Sequence, residues 1–529
     1  MIGINYYLFV FALIFGFHGT ASIEINSSKI LIDWGDHVYP VLKGKDKNQF
    51  AQLKIFNEGR EAVPLNQITL TLVNAENIND IDSFNIYLSL QPEELLPGKI
   101  FGDSNNAGKS IVFHGNESIL PGENYLWITC SLTDKASLRR NISIKCSELI
   151  ISKKKVDPQL PPITRQVGWA LRQHQDDDVD TYRIPGLVTT NRGTLIAVYD
   201  IRRNSSVDLQ EDIDVGMQRS TNAGETWSPM QLIMDMGEWG GKPQGENGIG
   251  DPSILVDKVT NTIWVAGVWA HGHPDERNWW ASKPGLDPEE TSQFMLVKSE
   301  DDGVNWSEPI NITQQIKDPS WHLLLQGPGK GITTKDGTLV FPAQFKDADQ
   351  MPHATIIYSK DRGETWNIGT GAKSNTTEAQ VVELRDGSLM LNIRDNRGSG
   401  PQGPNGEGAR SVMVTKNLGK TWEKHPSSGY ALPEPVCMAS LIQHNIDDKT
   451  ILIFSNPANT FSRQDMTIKI SFDEGLTWPS KYHTLIDNRR GRGYSCLTSI
   501  DEETIGILYE GSQADLIFQK FKLEELLNN

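Results

Sequence analysis

The chain is 529 residues long, with 67 Asp and Glu against 50 Lys and Arg and a formal net charge of −17. That length exceeds one ordinary hydrophobic core and calls for at least two folded units. The negative balance, with no basic run to override it, excludes a general nucleic-acid binder, because a polyanion would be repelled.

The first element is an apolar run from Tyr6 to Phe17, followed by Gly19-Thr20-Ala21-Ser22. It has the length of a signal-peptide core with small residues near a cleavage point, and it is too short to span a bilayer. Residues 1–22 therefore read as a signal peptide, although no Lys or Arg precedes the run. This predicts export to the periplasm or the extracellular space, with no membrane span once the signal is removed. No cysteine follows the run, which argues against a lipoprotein.

From residue 23 to 155 short alternating runs follow, such as Gln52-Leu53-Lys54-Ile55-Phe56 and Thr69-Leu70-Thr71-Leu72-Val73, separated by Gly, Asn and Asp. Period-two alternation with such breaks predicts a small β-sandwich. The chain holds four cysteines, Cys130, Cys146, Cys437 and Cys496, in no zinc-binding spacing. Cys130 and Cys146 could close a local bridge or remain buried thiols. Lys153-Lys154-Lys155 and the Pro158–Pro162 stretch read as a linker, with a boundary near Pro161.

Beyond the linker, Thr181–Thr190 and Thr194–Tyr199 flank Asn191-Arg192-Gly193 and form a predicted hairpin. Arg183 lies on the buried end of its first arm, where a guanidinium needs a partner. The nearest acids in sequence are Asp178 and Asp180.

One eight-residue pattern then recurs five times: Ser220 to Trp227, Ser299 to Trp306, Ser359 to Trp366, Thr415 to Trp422 and Ser471 to Trp478. Each copy carries Ser or Thr first, Asp or Asn third, Gly fifth and Trp last, and follows a β run. Gly supplies the positive φ of a tight turn, Asp or Asn bonds to the loop backbone, and Trp packs beneath it. The boxes are thus structural turns. A repeat of roughly sixty residues predicts about six four-stranded blades, and so a six-bladed β-propeller.

With Tyr182-Arg183-Ile184-Pro185 ahead of these boxes, residues 162–526 resemble the bacterial exo-sialidases, glycoside hydrolases that remove terminal sialic acid. Members carry Asp-box (BNR) repeats, often behind an N-terminal β-sandwich. The resemblance implies roles for matching positions. Arg183, Arg394 and Arg463 form an arginine triad, and Arg202 is a further binding arginine. Asp208 is the acid/base, with Asp212 and Asp214 as nearby rivals, and Asp251 is a pocket aspartate. Glu378, in Thr377-Glu378-Ala379-Gln380-Val381-Val382-Glu383-Leu384, activates the nucleophile, which is Tyr494 in Gly493-Tyr494-Ser495. Leu508-Tyr509-Glu510 resembles the family's closing segment.

These residue types suit the implied chemistry. Sialic acid carries a carboxylate on its anomeric carbon, and arginine forks grip a carboxylate bidentately. The missing partner of Arg183 is then expected to be the substrate. An anionic nucleophile would be repelled by that carboxylate, whereas a tyrosine deprotonated by a glutamate avoids the conflict. Trp269 is a candidate apolar wall for the acyl-amino group, with Trp279 and Trp280 behind it.

The implied partners are sialylated oligosaccharides, glycoproteins or glycolipids, with no metal and no cofactor. His271-Gly272-His273 and Asp176-Asp177-Asp178 read as loop and solvated run, and the Gly/Pro-rich Gly398–Gly408 stretch as a loop over the basin. A trans-sialidase or anhydro-forming sialidase would use the same centre. A non-catalytic sialic-acid-binding propeller would keep the arginines and drop the chemical groups, and a bare box scaffold would have no arginine triad.

Overall fold

The structure is a computed structural model describing residues 21–528, apart from 26–27, 74, 90–97, 108, 210, 272–275, 398–407 and 447–448. The expected signal core, the His271–His273 loop in large part, and nearly all of the Gly/Pro-rich stretch lie outside the described residues. Two compact units are present. One comprises residues up to Asp36 with Lys47–Ser131 and Ile142–Thr164; the other comprises His37–Asp46, Leu132–Asn141 and Arg165–Asn529. Two early segments therefore belong to the second unit, which no single cut in the sequence describes.

In the first unit the alternating runs pair into two antiparallel sheets. One is built around Asn48–Asn57 and Gly122–Leu132, the other around Val63–Leu72, Ser110–Ile119 and Asn141–Ile151. Cys130 and Cys146 are buried free thiols, as are Cys437 and Cys496, so the bridge reading is replaced by the thiol reading. Burial pushes all four thiols up in pKa.

The second unit holds six radial blades, the first two joined in one nine-stranded sheet by a bridge between Ile213 and Gly248. Their innermost strands are Thr181–Thr189, Asn247–Val256, the split pair Leu323–Gln326 and Ile332–Thr333, Thr376–Glu383, Ser440–Ile446 and Ser495–Ser499. Blades 1 to 5 run outward in chain order. Blade 6 is different: its outer strand is Ile163–Arg172, which pairs antiparallel with Leu516–Lys522 and closes the ring. The described helices are single turns, and none is long and apolar enough to cross a membrane.

That closure explains why six blades carry five boxes. A box joins the third and fourth strands of a blade, and in blade 6 those strands come from opposite ends of the region. In the blade 3 copy, Asp361 accepts the Thr365 backbone N–H at 2.9 Å, and Ser359 Oγ accepts the Gly363 N–H at 2.8 Å. Gly363 has φ +92°, and a Cβ there would stand 2.3 Å from the Trp264 ring, so no other residue fits without displacement. Apolar clusters span neighbouring blades: Ile196 and Val265 share one across blades 1 and 2, Val382 and Leu441 one across 4 and 5, and Ile453 and Leu497 one across 5 and 6. Each such side chain contributes roughly 1.5–3 kcal/mol on burial.

Candidate active site

Three innermost strands break register at one end. Pairing slips between Arg183 and Gly186 in blade 1, between Gly250 and Ser253 in blade 2, and between Thr376 and Ala379 in blade 4. A bulge turns a side chain out of the ladder toward whatever lies beyond the strand end. Ile184 and Asp251 inside these breaks have φ of +58° and +56°, although each precedes a proline, which disfavours folded conformations. Glu378 lies in the third break. Ile184 and Asp251 therefore carry local backbone strain at these strand ends.

A cavity of about 350 Å³ opens at this end, lined by Asp208, Asp251, Glu378, Arg394 and Tyr494, with Trp279 and Trp280 on its wall. Tyr494 precedes the inner strand of blade 6 and is buried, its ring packed among Ile184, Cys437 and Met438. Its hydroxyl donates to Glu378 Oε1 in a short hydrogen bond. Arg394 Nη1 bonds Glu378 Oε2 at 2.6 Å and Tyr494 Oη at 3.1 Å. Burial and the Glu378 charge push the phenol well above its ordinary pKa, against the pull of Arg394 and Arg463. The resting tyrosine is therefore neutral and already hydrogen-bonded to the group that can take its proton.

Two further guanidiniums flank the ring: Arg183 stands 5.2 Å from its centroid and Arg463 5.6 Å. Arg463 is held by the carbonyls of Arg492 and Val436. Arg183 has a partner that its sequence neighbours do not suggest. Glu510, just past the second strand of blade 6, takes Arg183 Nε at 2.8 Å and Nη2 at 3.2 Å. The same carboxylate accepts the backbone N–H of Ile184 at 3.1 Å and of Tyr494 at 3.0 Å. Burial would raise the Glu510 pKa, but Arg183 and these donors hold it below the usual range. The expectation that substrate alone answers Arg183, like the pairing with Asp178 or Asp180, is corrected: Glu510 fixes the guanidinium in place. The signal is present in Leu508-Tyr509-Glu510, but nothing in the sequence ties it to a residue 327 positions away.

On the opposite wall, Asp208 lies in a loop after Leu195–Arg202, with its side chain 45% exposed. Arg202 binds it at 2.5 Å and binds Asp200 at 2.9 Å, while Asp200 accepts the Asp251 N–H at 2.8 Å. Burial raises the Asp208 pKa, yet Arg202 and Arg183 outweigh it and hold the carboxyl below its ordinary value. Asp200 is pushed up to about 6 by burial, and Asp251 is raised well above the ordinary value by burial and by Asp208 and Asp200. Within this group of acids, Asp251 and Asp200 hold a proton more readily than Asp208.

Two expectations change here. The Arg202 side chain is completely buried and is turned to Asp200, Asp208 and the Ser206 carbonyl, so it holds Asp208 in place and does not line the cavity. Trp269 is also fully buried. It packs against Trp239 at 4.8 Å within the layer between strands, and its indole donates to Asn247. The aromatic wall is formed by Trp279 and Trp280, on the one-turn helix Asn278–Ala281. The rivals Asp212 and Asp214 are grouped around Arg203 and do not line the cavity.

Residues 193–507 match the BNR repeat-like domain, and residues 29–155 match the N-terminal domain of BNR-repeat neuraminidase. A sialidase of Bacteroides fragilis is 45% identical over 92% of this chain and 94% of its own. A sialidase of Clostridium perfringens is 30% identical over 63% of this chain and 86% of its own. Among solved structures, the Hadza microbial sialidase Hz136 superposes with a TM-score of 0.85 at 44% identity, covering 93% of this chain and 99% of that one.

Proposed function

The chain belongs to the BNR-repeat sialidase family and is a glycoside hydrolase of the exo-sialidase kind, and from that premise we propose that it cleaves terminal sialic acid with retention through Tyr494. The observation that carries this reading is the contact of the Tyr494 hydroxyl with Glu378 beneath Arg394. A buried neutral phenol bonded to a carboxylate, with three guanidiniums around it, is built to become a phenolate only when a substrate requires one.

In the proposed reaction, the sugar carboxylate lies against Arg183, Arg394 and Arg463, each held by protein groups so that little reorganisation is needed. Glu378 takes the phenolic proton as Tyr494 attacks the anomeric carbon, giving a covalent intermediate. Glycosidases ordinarily work with a pair of carboxyl groups, and sialidases with a tyrosine nucleophile are an exception that supplies the chemical precedent. Asp208 protonates the departing oxygen and then activates water from the same face, which restores the original anomeric configuration.

Asp208 is held low in the empty site, so acid catalysis needs its pKa to rise. A substrate carboxylate beside Arg183 supplies that change: it offsets the cationic field on Asp208 and shuts out water. The acid is thus readied by the ligand it will protonate. Leu209, Leu325 and the Trp279–Trp280 wall offer an apolar side for the acyl-amino group.

The proposal extends to export, supported by the Tyr6–Phe17 run, to a catalytic region over 162–526, and to a structural or carbohydrate-contacting role for 23–155. Substrates are sialylated oligosaccharides, glycoproteins or glycolipids. The test is release of sugar from sialyllactose by the mature chain, with the product identified by mass and anomeric configuration. Free α-sialic acid is expected first, and Tyr494→Phe should lower kcat by more than ~10³-fold with ligand binding retained. An anhydro or transferred product would move the assignment to those variants, and unchanged turnover in Tyr494→Phe would overturn the mechanism.

A further inference from the structure

The innermost strands have a second end. From Arg183 to Thr189, or from Tyr494 to Ser499, the chain travels about 15–20 Å at roughly 3.3 Å per residue, away from the catalytic cavity. There a separate cavity of about 260 Å³ lies on the axis, with walls from all six blades, among them Thr189, Val256, Thr333, Glu383, Gln443 and Ser499. It far exceeds the roughly 30 Å³ one liquid water occupies.

Two lysines enter this well. Lys258 follows the inner strand of blade 2, and Lys330 sits on the short strand Gly329–Lys330, which pairs parallel with Ser253 and Ile254. Their ammonium groups reach only backbone carbonyls: Lys258 that of Thr189 at 3.1 Å, and Lys330 that of Leu497 at 3.5 Å. Among the described residues neither forms an ion pair. Glu383 also borders the well, but its Oε2 accepts the Lys335 backbone N–H at 2.8 Å. Lys258 is exposed and Lys330 half-buried; partial desolvation by the surrounding wall depresses both, Lys330 to about 8, and Lys258 depresses Lys330 further. The Cys496 thiolate would oppose this, but that thiol stays protonated, its pKa raised to about 11 by burial. Two ammoniums that share a solvent-accessible well with Thr189, Thr333, Thr498 and Ser499, and have no carboxylate bonded to either, offer an anion both charge and hydrogen-bond donors.

We propose that this axial well binds a tetrahedral oxyanion, phosphate or sulfate, free or esterified to a sugar, between Lys258 and Lys330. The anion would bridge the two ammoniums by charge-assisted hydrogen bonds and fill the open end of the axis. The site is separate from the arginines of the catalytic cavity, so its occupancy acts on the stability of the propeller and not on the reaction.

The test is ³¹P line broadening of inorganic phosphate by the full chain at fixed ionic strength, with competition by inorganic sulfate and by glucose 6-phosphate. Variants Lys330→Met, Lys258→Met and Arg463→Ala distinguish the two ends. Saturable broadening is expected in the wild type and in Arg463→Ala, with affinity lowered at least ~10-fold in each lysine variant while their sialidase turnover stays unchanged. Competition by glucose 6-phosphate as well as sulfate would extend the site to esters, whereas competition by sulfate alone would confine it to free anions. Broadening that disappears in Arg463→Ala and survives in both lysine variants, or no saturable broadening at all, would overturn the proposal.

Discussion

The rim and the axis of this propeller are built by opposite rules. At the rim, the same eight-residue turn is made five times with nearly the same bonds: Ser299 to Asp301, Ser359 to Asp361 and Ser471 to Asp473 are 2.8–2.9 Å contacts of one design. At the axis, the blades do not repeat one another position by position. Blade 1 brings Arg183, blade 2 Asp251, blade 4 Glu378 and Arg394, and blade 6 Tyr494. The acids differ in the same sense. Hydrogen bonds hold the rim carboxyls low, Asp301 at about 2, while burial holds Asp200 and Asp251 high at the axis. Repetition specifies the scaffold, and chemistry is placed where repetition stops.

The largest expected effect is at the axis. Glu378→Gln removes the proton acceptor of Tyr494 and should lower kcat about 10²–10⁴-fold, with thermal unfolding little altered. A loss below tenfold would mean that the axis is as tolerant as the rim. Next is Glu510→Gln, which leaves a buried guanidinium without its charge partner. A stability loss of about 3 kcal/mol in urea unfolding is expected, together with a raised KM, because Arg183 is no longer fixed.

A smaller effect separates the two regions by pH. Asp200 has a folded pKa above its unfolded value of about 4, so its contribution to stability is complete below pH ~4 and is lost as pH rises through about 6. Asp361, depressed by its hydrogen bonds with Thr365, contributes above pH ~4 and loses that contribution as pH falls. Melting curves from pH 2 to 8 should show Asp200→Asn flattening the fall on the alkaline side and Asp361→Asn flattening it on the acid side. The same slopes in both variants would erase the distinction. Smallest of all, Asp361→Ala should lower Tm by about 2 °C with kcat/KM unchanged, as for one exposed turn among five.

This division also decides what can be read from the chain alone. The bonds that shape each box turn are local, as from Ser359 to Asp361 and Gly363 and from Asp361 to Thr365, so the blades are legible from Ser359 to Trp366 as readily as from any other copy. The axial residues emerge one at a time through motifs, but their partners do not. Glu510 reaches Arg183 across the ring, and no spacing rule links them. Asp208 stands beside Asp212 and Asp214 with equal charge, and only the path of the loop places Asp208 in the cavity and the others on Arg203. Trp269 ends an apolar run, whereas Trp279 follows the polar Asp275-Glu276-Arg277-Asn278. Which one faces the cavity depends on strand alternation and on a one-turn helix that hydrophobic pattern does not announce. The two excursions His37–Asp46 and Leu132–Asn141 are likewise invisible in the sequence, because a segment's membership in a unit depends on distant contacts.

The joint between Ile163–Arg172 and Leu516–Lys522 has a consequence for synthesis. Arg183 and Tyr494 are both seated by Glu510, so the beginning and the end of the ring meet in one carboxylate. A chain released before Leu516 would have most of its blades, all of its boxes and the Glu510 contacts, yet would lack the strand with which Ile163–Arg172 pairs. The proposed chemistry therefore depends on residues 494–522, which both seat Arg183 and supply the strand that closes the ring.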